Sequence, residues 1–218
     1  MLNLEHLKKL DWWLIISAIL IAGFGLVSIY SVSLSKGDFL NFEKQIIFFV
    51  TGVALMILIS FFDYRGLRNN SYLILALYFI SLLLLVGLFF FAPEIRGTRG
   101  WYKLGFFSFD PIEPTKLVLI ILLAKYFSMR HVEMYKFRHI VFSGIYVFLP
   151  SLLIFLKPDL GGVIILVAMW LGILFISGIK IKHFLILFLC FLLIAGLAWS
   201  FLLKDYQKDR VLSFIFPY

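Results

Sequence analysis

Apolar residues run almost unbroken for long stretches of this chain, near 12–31, 45–62, 72–92, 112–129, 139–156, 160–179 and 183–203, with short polar connections between them. Runs of about 17 to 22 residues, wound as helices, are long enough to cross a hydrocarbon core roughly 30 Å thick. A closed barrel also satisfies its backbone in lipid, but its strands must alternate apolar and polar positions, and the run from Ile80 to Phe90 does not alternate. The pattern therefore predicts an all-α polytopic membrane protein with about seven transmembrane helices in a single transmembrane domain over residues 1–218. The first run is too long for a signal-peptide core and no small-x-small cleavage site follows it closely, so it reads as a retained anchor.

Composition agrees with the pattern: 63% of the residues are hydrophobic, 15% are charged, and the mean hydropathy is +1.04. Soluble globular domains do not have this balance. The formal net charge of +8 would suggest nucleic acid in a soluble protein, but these cations are spread over loops on both faces without a continuous stripe. Membrane lipid head groups fit better as partners, and nucleic acid is not expected. The single cysteine, Cys190, rules out an intrachain disulfide and a multi-cysteine metal site, and its place in the last run predicts a small buried residue.

Charge also bears on orientation. With Lys8 and Lys9 in the cytoplasm, the 20 Lys and Arg divide evenly between the faces, while only four acids, Glu5, Asp11, Asp63 and Glu133, fall inside. The positive-inside rule is then a tie by cation number. A cytoplasmic N-terminus is preferred because the outer cations cluster in two loops, which substrate binding explains better than insertion does. His6, His131, His139 and His183 all fall on the inner face in this topology and read as interfacial residues.

Against this background one segment stands out. Arg96-Gly-Thr-Arg-Gly-Trp-Tyr-Lys-Leu-Gly105 leads into Asp110-Pro-Ile-Glu-Pro-Thr-Lys116, so three cations and a Trp crowd one loop, and a Glu and a Lys enter the first turn of the next apolar helix. Ionisable groups at membrane depth are costly and point to a functional site. Glu113 and Lys116, one helical turn apart, share a face and can pair, which offsets part of that cost. Asp110 with Pro111 and Glu113 follows the logic of a capping box, so capping and pairing alone would also account for these acids. Phe106, Phe107 and Phe109 suit a segment lying in the interface. Between the fifth and sixth runs, Lys157-Pro-Asp-Leu-Gly-Gly162 places Asp159 as a cap, with Pro158 breaking the helix.

Four motifs in order, Arg96-Gly-Thr-Arg-Gly-Trp101 with Leu104-Gly105, Phe109-x-Pro-x-Glu-x-x-Lys116, Lys157-Pro-Asp-Leu-Gly161 with Phe175-x-Ser-Gly178, and Asp205-Tyr-Gln-x-x-Arg210, resemble the shape, elongation, division and sporulation (SEDS) family that includes RodA, FtsW and SpoVE. The terminal Tyr-Gln-x-x-Arg-Val run lies nearest the RodA, or elongation, branch. The resemblance implies a normally ten-helix fold in the bacterial plasma (inner) membrane. It also implies a glycosyltransferase that polymerises lipid II into peptidoglycan strands beside a class B penicillin-binding protein and other elongation or division machinery. It further implies that the catalytic Asp of the family lies on a long outer loop beyond residue 218, so that this chain is a fragment or an early truncation and inactive alone. The chain departs from the family at Asp110-Pro-Ile-Glu113, where Gln-Pro-Ser-Glu is frequent, and at Gly100, where an Arg often precedes the Trp.

Glycosyl transfer from lipid II needs a base for the attacking sugar hydroxyl and positive charge for the departing pyrophosphate. Within the chain the catalytic candidates are Glu113, Lys116 and Asp159, with Glu113 and Lys116 read as cavity-lining groups or as ligands of a divalent cation such as Mg or Mn. The substrate-binding candidates are Arg96, Arg99, Trp101, Lys103 and Arg210, since Arg suits bidentate phosphate contacts and Trp can stack on a sugar or anchor at the interface. Two rival functions fit the same residues: a flippase for lipid-linked oligosaccharide, and a non-catalytic membrane scaffold for cell-wall enzymes.

Overall fold

The computed structural model describes residues 10–61, 66, 70–93, 100–105, 107–129, 137–201, 208, 209, 212, 213 and 216. The chain divides into two compact units, Met1–Gly66 and Leu67–Tyr218. The first holds α1 (Trp12–Lys36) and α2 (Leu40–Ser60). Asp11 starts α1 by accepting the amides of Trp13 at 3.1 Å and Leu14 at 3.3 Å. Gly37 ends it in the left-handed region at φ 67, a conformation that costs a glycine nothing. The two helices fold back on one another through Tyr30, whose ring lies 5.2 Å from that of Phe42.

The second unit contains α3 (Ser71–Phe91), a hairpin of β1 (Tyr102–Leu104) and β2 (Phe107–Phe109), then α4 (Ile112–Ser128), α5 (Phe137–Phe155), α6 (Leu160–Ile176) and α7 (Ile181–Phe201). The helices fall on the seven predicted spans with their ends shifted by a few residues. Five of them, α1, α2, α3, α5 and α7, are long and apolar enough to cross a membrane, and α6 is apolar but shorter. The chain is thus a multi-pass helical membrane protein. The hairpin is the element that sequence periodicity did not anticipate. Its antiparallel register pairs Tyr102 with Phe109, Lys103 with Ser108 and Leu104 with Phe107, and Gly105 turns it at φ 66.

The core of this unit forms where α3, α4, α5 and α6 meet, around Leu85, Leu88, Leu119, Leu123, Ile154, Leu166 and Leu174. Apolar burial cannot specify these contacts in lipid, where tails are as apolar as leucine, so small residues and interhelical hydrogen bonds do. Tyr78 of α3 donates its hydroxyl to the Tyr146 carbonyl of α5 at 2.9 Å. Gly144 of α5 leaves room for the indole of Trp170 on α6, which would stand 3.3 Å from an added Cβ, and Trp170 Nε1 donates to Ser143 Oγ at 3.0 Å.

Two expectations fail here. His139 is not interfacial: it is 3% exposed, its Nδ1 lies 3.0 Å from the Tyr126 hydroxyl, and the meeting of α4 and α5 encloses it. Cys190 is exposed rather than buried, because α7 packs only along part of its length. His6 and His131 lie outside the described residues.

Candidate functional site

The starts of α4 and α6 hold four of the predicted site residues, Asp110, Glu113, Lys116 and Asp159. Asp110 Oδ1 accepts the Ile112 amide at 2.9 Å, so the acid meets the helix start as predicted, although the helix begins at Ile112 and Pro111 occupies the N-cap position. Glu113 does not complete a capping box. Its Oε1 instead accepts from Lys116 Nζ at 2.7 Å, in a pair whose side chains are 68% and 20% exposed respectively. The half-buried ammonium thus meets a carboxylate that remains open to its surroundings. Thr115 adds a bond from its hydroxyl to the Pro111 carbonyl at 2.7 Å, which closes the first turn around Pro114.

Across the unit, Asp159 caps α6 by accepting the Gly162 amide at 3.1 Å. A Cβ on Gly162 would come within 2.9 Å of Asp159 Oδ2 and 3.0 Å of Ile154, so this second glycine of the Leu-Gly-Gly run is required by close approach. The charges of Glu113 and Asp159 act on the Asp110 carboxyl. Burial pushes the Asp110 carboxyl above its ordinary value, its bond from the Ile112 amide pulls it down, Glu113 and Asp159 push it up, and Lys116 pulls it down.

The hairpin is held against α3. Tyr102 donates its hydroxyl to the Leu84 carbonyl at 2.7 Å, in a notch that exists because Gly87 has no side chain: a Cβ there would collide with that hydroxyl. Burial raises the Tyr102 phenol above its ordinary value. Since alternate strand residues point to opposite faces, Trp101 and Lys103 project away from α3, and both are exposed. The predicted site residues are therefore sorted. Asp110, Glu113, Lys116 and Asp159 come together at two helix starts, while Trp101 and Lys103 sit on the hairpin that leads into α4. Arg96, Arg99 and Arg210 lie outside the described residues.

Sequence reading missed Lys157 as a member of this group. It is 3% exposed, its Nζ lies 5.3 Å from the centre of the Phe89 ring, and it has no hydrogen-bond partner among the described residues. Burial pushes its ammonium down to about 8, opposed by Asp110 and Asp159, which favour the charged form. The available signal was its place beside Asp159 in Lys157-Pro-Asp159, a cation entering the end of an apolar run. Among the described residues no group of three or more His, Cys, Asp or Glu is placed to hold a metal ion: Glu113 is paired with Lys116, and Asp110 and Asp159 each serve a helix amide.

Helix length adds to the picture. At 1.5 Å per residue, the 17 residues of α4 and of α6 span roughly 26 Å, less than the ~30 Å of a typical hydrocarbon core. Short helices with polar starts place those starts below the membrane surface unless the bilayer thins around them.

Long apolar helices, with charged side chains at the starts of α4 and α6, define a multi-pass helical membrane protein. A family model for cell cycle proteins of the FtsW, RodA and SpoVE type matches residues 11–218, and the chain belongs to that family. It is 32% identical over 220 residues to the stage V sporulation protein E of Bacillus subtilis, covering 95% of this chain and 58% of that one. It is 30% identical to a probable peptidoglycan glycosyltransferase FtsW of Nitrosomonas europaea, over 96% of this chain and 56% of the relative. Among solved structures, a chain of a peptidoglycan synthase complex that coordinates polymerization and crosslinking superposes with a TM-score of 0.72 at 30% identity, covering 96% of this chain and 60% of that chain. The chain spans little more than half the length of these curated relatives.

Proposed function

We propose that this chain forms the lipid II site of a peptidoglycan glycosyltransferase of the bacterial plasma membrane, with its N-terminus in the cytoplasm and its hairpin on the outer face, serving cell elongation. The observation that carries the reading is the Glu113–Lys116 pair at the start of a short membrane helix, beside Asp110, Asp159 and the buried Lys157. Lys116 and Lys103 supply positive charge toward the pyrophosphate that leaves, and the cations of the preceding loop, Arg96 and Arg99, join them in this reading. Arg210 binds the same group from the end of the chain. Glu113 orients Lys116, Asp159 shapes the facing helix start, and Trp101 on the outward edge of the hairpin stacks on a sugar ring. The base for the attacking hydroxyl comes from the catalytic Asp that the family resemblance places beyond residue 218.

Mg or Mn belongs to this reading as a companion of the substrate pyrophosphate rather than as an ion lodged among these carboxylates. The likeness to a chain of a synthase complex that coordinates polymerization and crosslinking supports a class B penicillin-binding protein as partner, with the growing glycan strand as acceptor.

Lipid II polymerisation by the purified 218-residue chain, and by any longer reading frame that contains it, tests the proposal. Glycan strands from the longer form that fall at least about 100-fold with Lys116→Ala, the scale of a lost electrostatic contact to a developing charge, are expected. Polymer yield indifferent to both Glu113→Gln and Lys116→Ala sinks the reading. Movement of lipid II between leaflets of reconstituted vesicles without polymer would replace it with the flippase, and partner capture without either activity with the scaffold.

A further inference from the structure

Tyr78 of α3 and Pro150 of α5 are joined by one missing hydrogen bond. In an α-helix the carbonyl of residue 146 accepts from the amide of residue 150, and residue 150 of α5 is a proline, which has no amide hydrogen to give. In lipid a backbone carbonyl without a donor is expensive, and neighbouring helices or nearby Ser and Thr side chains supply a substitute where a proline interrupts a membrane helix. The substitute here is a phenol. Tyr78 donates its hydroxyl to the Tyr146 carbonyl at 2.9 Å, and the Tyr78 and Tyr146 rings meet edge to face at 5.6 Å.

The nearest side-chain donor takes no part. Ser151, beside the proline and 8% exposed, makes no hydrogen bond with its hydroxyl, whereas Ser143 bonds back to the Ile140 carbonyl at 2.9 Å and Ser177 to the Ile173 carbonyl at 2.7 Å. The donor in use instead comes from another helix, 68 residues away in sequence. Tyr78 and Pro150 are both buried among the helices. A phenylalanine would fill the same space as Tyr78, so packing accounts for the ring but not for the hydroxyl.

The part of α5 beyond the proline carries the turn into α6. Ile154, fully buried, lends its carbonyl to the amides of Lys157 at 3.0 Å and Asp159 at 3.4 Å. Its side chain lies against Gly162, where an added Cβ would stand 3.0 Å away. Sharp bends in helices fall at prolines, and a bend of α5 at Pro150 carries with it the start of α6, where Asp159 caps the Gly162 amide.

We propose that Pro150 is a hinge in α5 and that the Tyr78 hydroxyl is its clasp: the bond from α3 holds the break closed and so fixes the last turn of α5 and the start of α6, and its release lets the two move together. This device does not depend on the function proposed above.

Amide hydrogen exchange of the 218-residue chain in detergent micelles, read at Ser151, Leu152, Leu153 and Gly162, tests the clasp through a double-mutant cycle. Tyr78→Phe keeps the ring and leaves the carbonyl unpaired, so exchange at these amides is expected to speed about fivefold or more, the signature of local opening. Pro150→Ala returns an amide to the carbonyl, and in that background Tyr78→Phe is expected to alter exchange by less than about twofold. Equal acceleration in the two backgrounds, no acceleration in the unaltered one, or acceleration confined to α5 with Gly162 unmoved overturns the proposal.

Ser151→Ala removes a hydroxyl that makes no bond and is expected to change nothing; acceleration matching that of Tyr78→Phe would make Ser151 the donor and overturn the clasp. Should Tyr78→Phe fail to fold, adding Pro150→Ala is expected to restore a cooperative thermal transition, and a double variant that also fails to fold overturns the proposal.

Discussion

At the scale of single residues, charges at the helix starts have different fates according to exposure. The Glu113–Lys116 pair leaves the Glu side chain 68% exposed, and such i,i+3 pairs contribute only about 0.5 kcal/mol or less to stability. Glu113→Gln is therefore expected to leave the melting temperature nearly unchanged while activity falls, and a large loss of stability would show that the pair is structural. Lys157 is the opposite case. Burial holds its ammonium near 8, against an ordinary value of 10.5. Between about 8 and 10.5 the unfolded chain keeps a proton that the folded chain gives up, so this residue makes stability rise with pH across that window. Thermal unfolding followed over the window is expected to show that rise in the unaltered chain and to lose it in Lys157→Met. The spacing of Glu and Lys made the first pair legible from sequence, because i,i+3 neighbours meet on any helix. The second case left only a faint local sign, a cation beside Asp159 at the end of an apolar run, since the burial of Lys157 depends on α3, far away in the chain.

At the scale of elements, the hairpin and the α5–α6 contact are held by fits that single glycines permit. Tyr102 reaches Leu84 through the notch at Gly87, so Gly87→Leu is expected to displace the hairpin and weaken lipid II binding, whereas Tyr102→Phe is expected to cost about 1 kcal/mol, the net worth of one hydrogen bond. A Gly87→Leu variant with unchanged lipid II binding would separate the hairpin from the site. Gly144→Val is expected to lose about 1–3 kcal/mol through overpacking against Trp170, read as a lowered unfolding midpoint. Helices were easy to read because apolar runs of membrane length admit little else, and the Asp159 cap and the Asp110 bond to the Ile112 amide follow from short-range chemistry. The hairpin was harder to read. Its strands are three residues long, too short for periodicity to show, and its aromatic residues suit an interfacial loop equally well.

At the scale of the whole molecule, the proposed topology makes its own prediction. With the N-terminus in the cytoplasm, a membrane-impermeant thiol reagent is expected to label Ser108→Cys from outside intact cells and Met129→Cys only after permeabilisation, in a Cys190→Ala background. The reverse pattern would invert the chain and move the site to the inner face. Helical class, the number of long apolar segments and the charged stretch from Arg96 to Lys116 are determined by the sequence alone, because hydropathy and short-range spacing are local properties and lipid leaves the backbone few alternatives. Which charges meet is a matter for tertiary structure. Phe89 lies on α3 and Lys157 in the turn between α5 and α6, and only the packing of these elements brings them together. That same packing excludes water from Lys157 and encloses His139, because burial and the electrostatics that depend on it are properties of neighbours in space.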